Sequence, residues 1–381
     1  MNKELHLFII WKNAQKTTDK IVEDIHSKFT IKDVYDISWT SKHFSSNLSR
    51  FYGGKLPPNC PKETRIGHGP FTLIVVEDED PSYEKRDTGR RGIQMVNTKM
   101  FDAKAVYRGW AEKLHNASDL VHATNTPLET SHDLTLLLGL NPDDYYSKLG
   151  KKLWDGEIKK LNTDLVGVNG WSDIHQLFYV LNSSIDYVVL RNFESLPDTY
   201  PLAYQEDIDL LVDNYKEACW IMNAKPVCKE PYRILNEVTI DGQEVRFDIR
   251  YVGDDYYHKQ WEENILKNRV FDSGGFYKPN DEDYFYTLLY HAIVHKPEMR
   301  DDYNERLTKM SAELGINGIE KSLLDEYMNT MGYNYSKPVD KSVYYALDSV
   351  HQKKSNEPSL SNNKIKQKMR ILWEAITDFK K

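Results

Sequence analysis

Asp207-Ile208-Asp209-Leu210-Leu211-Val212 sets two carboxylates at the mouth of an apolar strand. Side chains alternate along a strand, so Asp207 and Asp209 project from one face. A second run, Val245-Arg246-Phe247-Asp248-Ile249-Arg250, keeps the same two-residue period and carries a third acid among apolar neighbours. A lone carboxylate there is costly to bury unless it is paired or metal-bound. Three converging acids suit Mg²⁺ or Mn²⁺; Mg²⁺ in particular takes few carboxylates and completes its shell with water and phosphate oxygens. Asp-x-Asp alone also describes a solvated strand end. Its weight comes from the order: strand Tyr187 to Leu190, a loop, the Asp-Ile-Asp strand, a helix from Tyr215 to Met222, then the acidic strand.

That order resembles the polymerase-β-type nucleotidyltransferase superfamily over roughly Tyr187 to Arg250, with following helices to about His295. The resemblance implies a mixed sheet, attack of a hydroxyl or phosphate on the α-phosphate of an NTP, and pyrophosphate release. It makes Asp207, Asp209 and Asp248 both catalytic and metal-binding. Where the superfamily has Gly-Ser or Gly-Gly after its first strand, this chain has Leu190-Arg191-Asn192. Arg191 offers a charged fork for phosphate in that place. Downstream, Tyr284 to Lys296 is dense in functional groups, with His291 and His295 one helical turn apart. Three readings apply to it: two ligands of a zinc site, a wall beside the acids with Lys296 or His291 toward phosphate, or a purely structural aromatic helix.

Upstream, Leu5 to Trp11 reads as a buried strand, Thr17 to Phe29 as a helix, Ile31 to Trp39 as a strand, and Lys42 to Tyr52 as a helix stopped at Gly53-Gly54. Lys55 to Lys62 reads as a proline-rich loop, Phe71 to Val76 as a third strand, Glu84 to Gly92 as a loop and Asp102 to Trp110 as a short helix. Leu120-Val121 is a brief apolar step before His122, and Thr126-Pro127-Leu128-Glu129 is a capping box that launches a helix ending at Gly139. Alternating strands and helices indicate an α+β sandwich of ferredoxin type. Asp133, on the last helix, is placed to turn back on His122; an imidazole held by a carboxylate is a good phosphate-accepting nucleophile.

This front region resembles nucleoside diphosphate kinase from Leu5 to Leu138. The family's His-Gly-Ser-Asp-Ser motif stands here as His122-Ala123-Thr124-Asn125-Thr126, and Asp133 falls at an orienting glutamate. The resemblance implies that His122 carries phosphate transiently and that Lys12, Tyr52, Arg91, Thr98 and Arg108 surround a nucleotide's phosphate chain. The loop that stacks the base in that family is here Leu56-Pro57-Pro58-Asn59. The phosphate-handling set is therefore better kept than the base-handling set. The family also implies self-association.

The chain thus divides into a kinase-like domain over residues 1–145, a nucleotidyltransferase-like mixed-sheet domain over 165–300 and a helical extension over 301–381, with Asn141 to Asn169 as connector and an amphipathic segment at Ile371 to Phe379. A net charge of −8 argues against general binding to nucleic acid or lipid surfaces. Three cysteines without CxxC spacing indicate reduced thiols and a cytoplasmic setting, and no apolar run reaches the ~20 residues of a membrane span. The expected activity is Mg²⁺-dependent nucleotidyl transfer from an NTP to a small acceptor such as a sugar phosphate or glycan precursor. The alternatives are phosphoryl transfer through His122 and a non-catalytic nucleotide-binding regulatory module.

Overall fold

The computed structural model describes residues 3–89, 92–115, 117, 119–149, 153–197, 207–228 and 233–347. The chain opens with β1 (Glu4–Ile10), a 3-10 turn (Lys12–Thr17), α1 (Thr18–Lys28), β2 (Thr30–Ser38), α2 (Phe44–Phe51), α3 (Pro61–Ile66) and β3 (Phe71–Asp78). It continues through β4 (Tyr83–Asp87), β5 (Ile93–Asn97), α4 (Thr98–His115), β6 (Val121–Ala123), α5 (Pro127–Leu138), α6 (Pro142–Leu149) and β7 (Ile158–Asn162). The second half carries α7 (Ile174–Asn182), β8 (Tyr187–Arg191), β9 (Ile208–Val212), α8 (Tyr215–Met222), β10 (Lys225–Pro226), β11 (Leu235–Ile240) and β12 (Gln243–Tyr251). Last come α9 (Lys259–Lys267), β13 (Val270–Phe271), β14 (Tyr277–Lys278), α10 (Asp281–Val294), α11 (Asp301–Leu314) and α12 (Lys321–Met331).

The architecture is mixed α and β, with one five-stranded sheet in each half. The first runs β6-β1-β3-β2-β7, antiparallel except for the β2/β7 pair. The second runs β10-β11-β12-β9-β8, with β12 and β9 parallel and the other pairs antiparallel. Several elements depart from the sequence reading. Glu84 to Gly92, expected as a loop, contributes β4 of a hairpin, because Tyr83 to Asp87 pairs with Ile93 to Asn97 although β4 is charged along its length. The helix expected over Asp102 to Trp110 is longer, Thr98–His115. The Asn141 to Asn169 connector contains α6, and its β7 extends the first sheet beside β2. Of the 301–381 extension, α11 and α12 are described, while the Ile371 to Phe379 segment lies outside the described residues.

One apolar core runs through both halves: Phe8, Ile9 and Val75 of the first sheet join Leu177 of α7 and Leu210, Phe247 and Ile249 of the second. A second cluster lies on the opposite face of the second sheet, where Val188, Leu190 and Leu211 pack against α9, α10, α11 and α12. The halves are also tied by Arg50, at the end of α2. It is fully buried and donates from Nη2 to Ile221 O at 2.9 Å and from Nε to Trp220 O at 3.2 Å. These are carbonyls in the last turn of α8; Trp220 O also accepts from Asn223 N at 3.2 Å, so the Arg50 bond to Ile221 O is the one that serves a carbonyl the helix end leaves over. Among the described residues no helix is long and apolar enough to cross a membrane.

Candidate functional site

The parallel pairing of β12 with β9 sets Asp248 directly beside Asp209. Partners in register project from the same face, and Asp207 precedes Asp209 by two residues, so all three acids share one side. It is the side of Leu211, the face covered by α10 and α11. Arg191 reaches the same side through a β-bulge. Val189 pairs with Leu210 and Arg191 with Asp209, so two steps along β8 match one along β9. Strict alternation would turn Arg191 with Val189 into the other core; the bulge re-aims it at Asp209. The next residue, Asn192, holds φ at +59°, the left-handed conformation that asparagine tolerates better than most residues.

Each acid has an arginine. Arg191 Nη2 donates to Asp209 Oδ1 at 2.7 Å, Arg233 Nη2 to Asp207 Oδ2 at 2.9 Å and Arg250 Nη2 to Asp248 Oδ2 at 2.6 Å. Arg250 in turn is held by buried Asp340 at 3.2 Å. The arginines do not neutralise the cluster completely. Burial, together with the charges of Asp248 and Asp207, pushes Asp209 above the ordinary carboxylate range, and burial with Asp248 pushes Asp207 the same way. Asp248 Oδ1 is buried with no hydrogen-bond partner. As they stand, with the acids turned toward arginines, no group of three or more His, Cys, Asp or Glu among the described residues is arranged to hold a metal. The orphaned Oδ1 and the raised acids nonetheless form a donor set that a divalent cation would satisfy.

The acids open into a cavity of about 810 Å³, whose far wall comes from the end of α10 and from α11 and includes His291, His295, Lys296, Arg300 and Arg306. Lys296 is the one of these cations, among the described residues, with no carboxylate within ion-pair distance; Arg300 pairs with Asp302 and Arg306 with Glu194. His291 Nδ1 meets Tyr256 OH at 2.8 Å, and that hydroxyl accepts from Arg191 at 3.0 Å. His295 is 3% exposed with both ring nitrogens unpartnered, and burial with Arg191, Arg250 and Lys296 nearby keeps it neutral. Residues that the sequence reading passed over include Arg250, which the two-residue period from Asp248 places on the same face. Arg306, Asp340 and Tyr256 carried no local signal, since they arrive from distant elements.

A second cavity, about 1170 Å³, surrounds His122. His122 Nε2 and Asp133 Oδ2 are 2.8 Å apart, and Asp133 Oδ1 is also held, by His132 Nδ1 at 2.9 Å. Burial would raise Asp133; the two histidine hydrogen bonds more than offset this and hold it below the usual carboxylate range. With Nε2 engaged, Nδ1 is the His122 nitrogen left for a ligand. Tyr52 and Arg108 line this cavity as expected, and Lys104 joins them, donating to Asn125 Oδ1. Lys12 and Thr98 do not line it. Lys12 packs over Gly69, and the Thr98 hydroxyl bonds that of Ser82 at 2.5 Å. Arg91 lies outside the described residues.

No protein-family model matches the chain, and no curated protein does either. Among solved structures, the nucleoside diphosphate kinase of Aquifex aeolicus aligns with 38% of this chain and 99% of its own, at 16% identity and a TM-score of 0.25.

Proposed function

We propose that the second half is a metal-dependent nucleotidyltransferase acting on a small acceptor such as a sugar phosphate or glycan precursor. The observation that carries the reading is the side-by-side setting of Asp209 and Asp248 on parallel strands, with Asp207 on the same face and a buried carboxylate oxygen left without a partner. Asp207, Asp209 and Asp248 would hold Mg²⁺ or Mn²⁺. When bound, the cation supplies charge for the attacking oxygen and for the leaving pyrophosphate. The chain's own residues do the rest. Lys296 and Arg191 face the triphosphate as fixed positive charge. Asn192, in its left-handed conformation, turns the backbone after β8 at the place where the superfamily has glycine. The domain bounds 1–145, 165–300 and 301–381 go with this reading.

The test is pyrophosphate release from labelled NTPs with Mg²⁺ and a panel of sugar phosphates. Wild type should release it, and Asp209→Asn should lose about a hundredfold or more of the rate, the scale of removing one charge-stabilising group. No release under any condition overturns the reading.

A second reading is favoured by the 2.8 Å contact between His122 and Asp133: phosphoryl transfer through His122 in a ferredoxin-type first half. The strand order β6-β1-β3-β2 supports that fold type. An acid-labile phosphate adduct that disappears in His122→Ala is the expected result; no adduct in wild type eliminates it.

A further inference from the structure

The wall of the His122 cavity is not confined to the first half. Ser184, at the turn between α7 and β8, and Asn214, Lys216 and Glu217, at the start of α8, line the same space as His122 and Arg108. The two walls are held in fixed relation. Arg50, one turn before Gly53, bonds the last-turn carbonyls of α8. At the other end of α8, the Glu217 side chain stands 3.8 Å from where a Cβ on Gly53 would sit. Gly53 holds φ at +59°, so the chain turns there, at the cavity rim, without a side chain in the way.

An independent observation points to a ligand. Ser184 is 7% exposed, and its hydroxyl has no hydrogen-bond partner, yet it lines the cavity. A buried hydroxyl without a partner is costly, and a ligand atom would relieve it. The contents of the cavity say what kind. Lys104, Arg108 and His122 gather at one part of it, while Met95 and Leu128 leave apolar surface open, 49% and 62% exposed. Cations beside apolar surface suit a molecule with an anionic tail and a flat, weakly polar body.

The geometry points to a composite site in which a nucleoside polyphosphate bound at His122 also touches the second half, with Lys216 and Ser184 as its contacts there. This rests on the phosphate-handling reading of the first half and goes beyond it by making the ligand bridge the two halves. It also links the cavities. β9 carries Asp209 at one end and leads through Asn214 into α8, so the strand that presents the carboxylates continues into the helix that would touch the bridging ligand.

ADP is the probe. Its affinity is measured by titration calorimetry on the full chain, and 8-azido-ADP is photo-crosslinked and the labelled peptides are mapped by mass spectrometry. Lys216 is exposed, so Lys216→Ala leaves the fold intact, and Ser184→Ala removes only a hydroxyl. The expected results are label on the peptide spanning residues 214–217, ADP binding weakened about tenfold in Lys216→Ala, and a smaller loss in Ser184→Ala. If Arg108→Ala and Lys104→Met weaken ADP while both second-half variants bind like wild type and label stays in the first half, the bridging is overturned and the phosphate site stands. If wild type binds no ADP, the phosphate-site reading falls and the bridging with it.

Discussion

Arg191 shows what a single residue does in this molecule. It is 5% exposed, and its carboxylate partner among the described residues is Asp209 at 2.7 Å. Removing one member of a buried ion pair leaves the other charge uncompensated, which costs about 3–5 kcal/mol. Arg191→Met should therefore lower the unfolding free energy by about that amount in urea denaturation, whereas Arg233→Ala, on an exposed arginine, should cost under about 1 kcal/mol. Lys104 gives a pH signature in the other cavity. Burial, with Arg108 nearby, pushes its ammonium down to about 8. The folded-state value lies below the unfolded one, so the fold disfavours the charged form, and this group's contribution to stability improves as pH rises from about 8 toward the ordinary lysine range. A bound phosphate reverses the preference. Phosphate or ADP binding above pH 8 should take up a proton, seen by calorimetry in buffers of different ionisation enthalpy, and Lys104→Met should abolish the uptake.

At the scale of elements, α5 is the clearest case of a start signal doing what its residue types dictate. Thr126 Oγ1 accepts from Glu129 N at 3.1 Å, one half of the capping box that Thr126-Pro127-Leu128-Glu129 announces; the Glu129 carboxylate reaches one residue further back and accepts from Asn125 N at 2.7 Å. Thr126→Ala should cost about 1 kcal/mol, read as a lowered Tm, and should loosen Asn125, the partner of Lys104. The two strands bearing the acids were equally legible: β9 is a continuous apolar run broken by Asp209, β12 alternates from Val245 to Ile249, and the parallel register puts the acids on one face. The β4/β5 hairpin was not. Tyr83-Glu84-Lys85-Arg86-Asp87 is charged on both faces, so only Ile93 and Met95 of its partner show an apolar period, and that is too short to mark a hairpin. The bulge at Leu190 was also hidden: it depends on how β8 meets β9, and a one-residue slip changes which face Arg191 takes.

At the scale of the whole molecule the two large sheets share one core, with a second cluster behind the second sheet, and that is where local reading stops. Arg50 in the sequence Leu48-Ser49-Arg50-Phe51 reads as a helix residue; that it is fully buried and caps a helix about 170 positions later follows only from the tertiary arrangement. Ser184, Lys216 and Asp340 are invisible as site residues for the same reason. Because the core is continuous, thermal unfolding of wild type should be a single cooperative transition. Arg50→Met should strand the Ile221 carbonyl, cost about 1.5–3 kcal/mol, and broaden or split the calorimetric transition.

In the proposed reaction Asp207, Asp209 and Asp248 share a divalent cation that handles a triphosphate. Crystals grown with Mn²⁺ and a non-hydrolysable NTP test it directly through anomalous scattering. A manganese peak is expected within coordination distance of Asp209 and Asp248, displacing the Arg250 contact to Asp248, with the triphosphate running toward Lys296. Manganese absent from these carboxylates while the nucleotide occupies only the His122 cavity would contradict it.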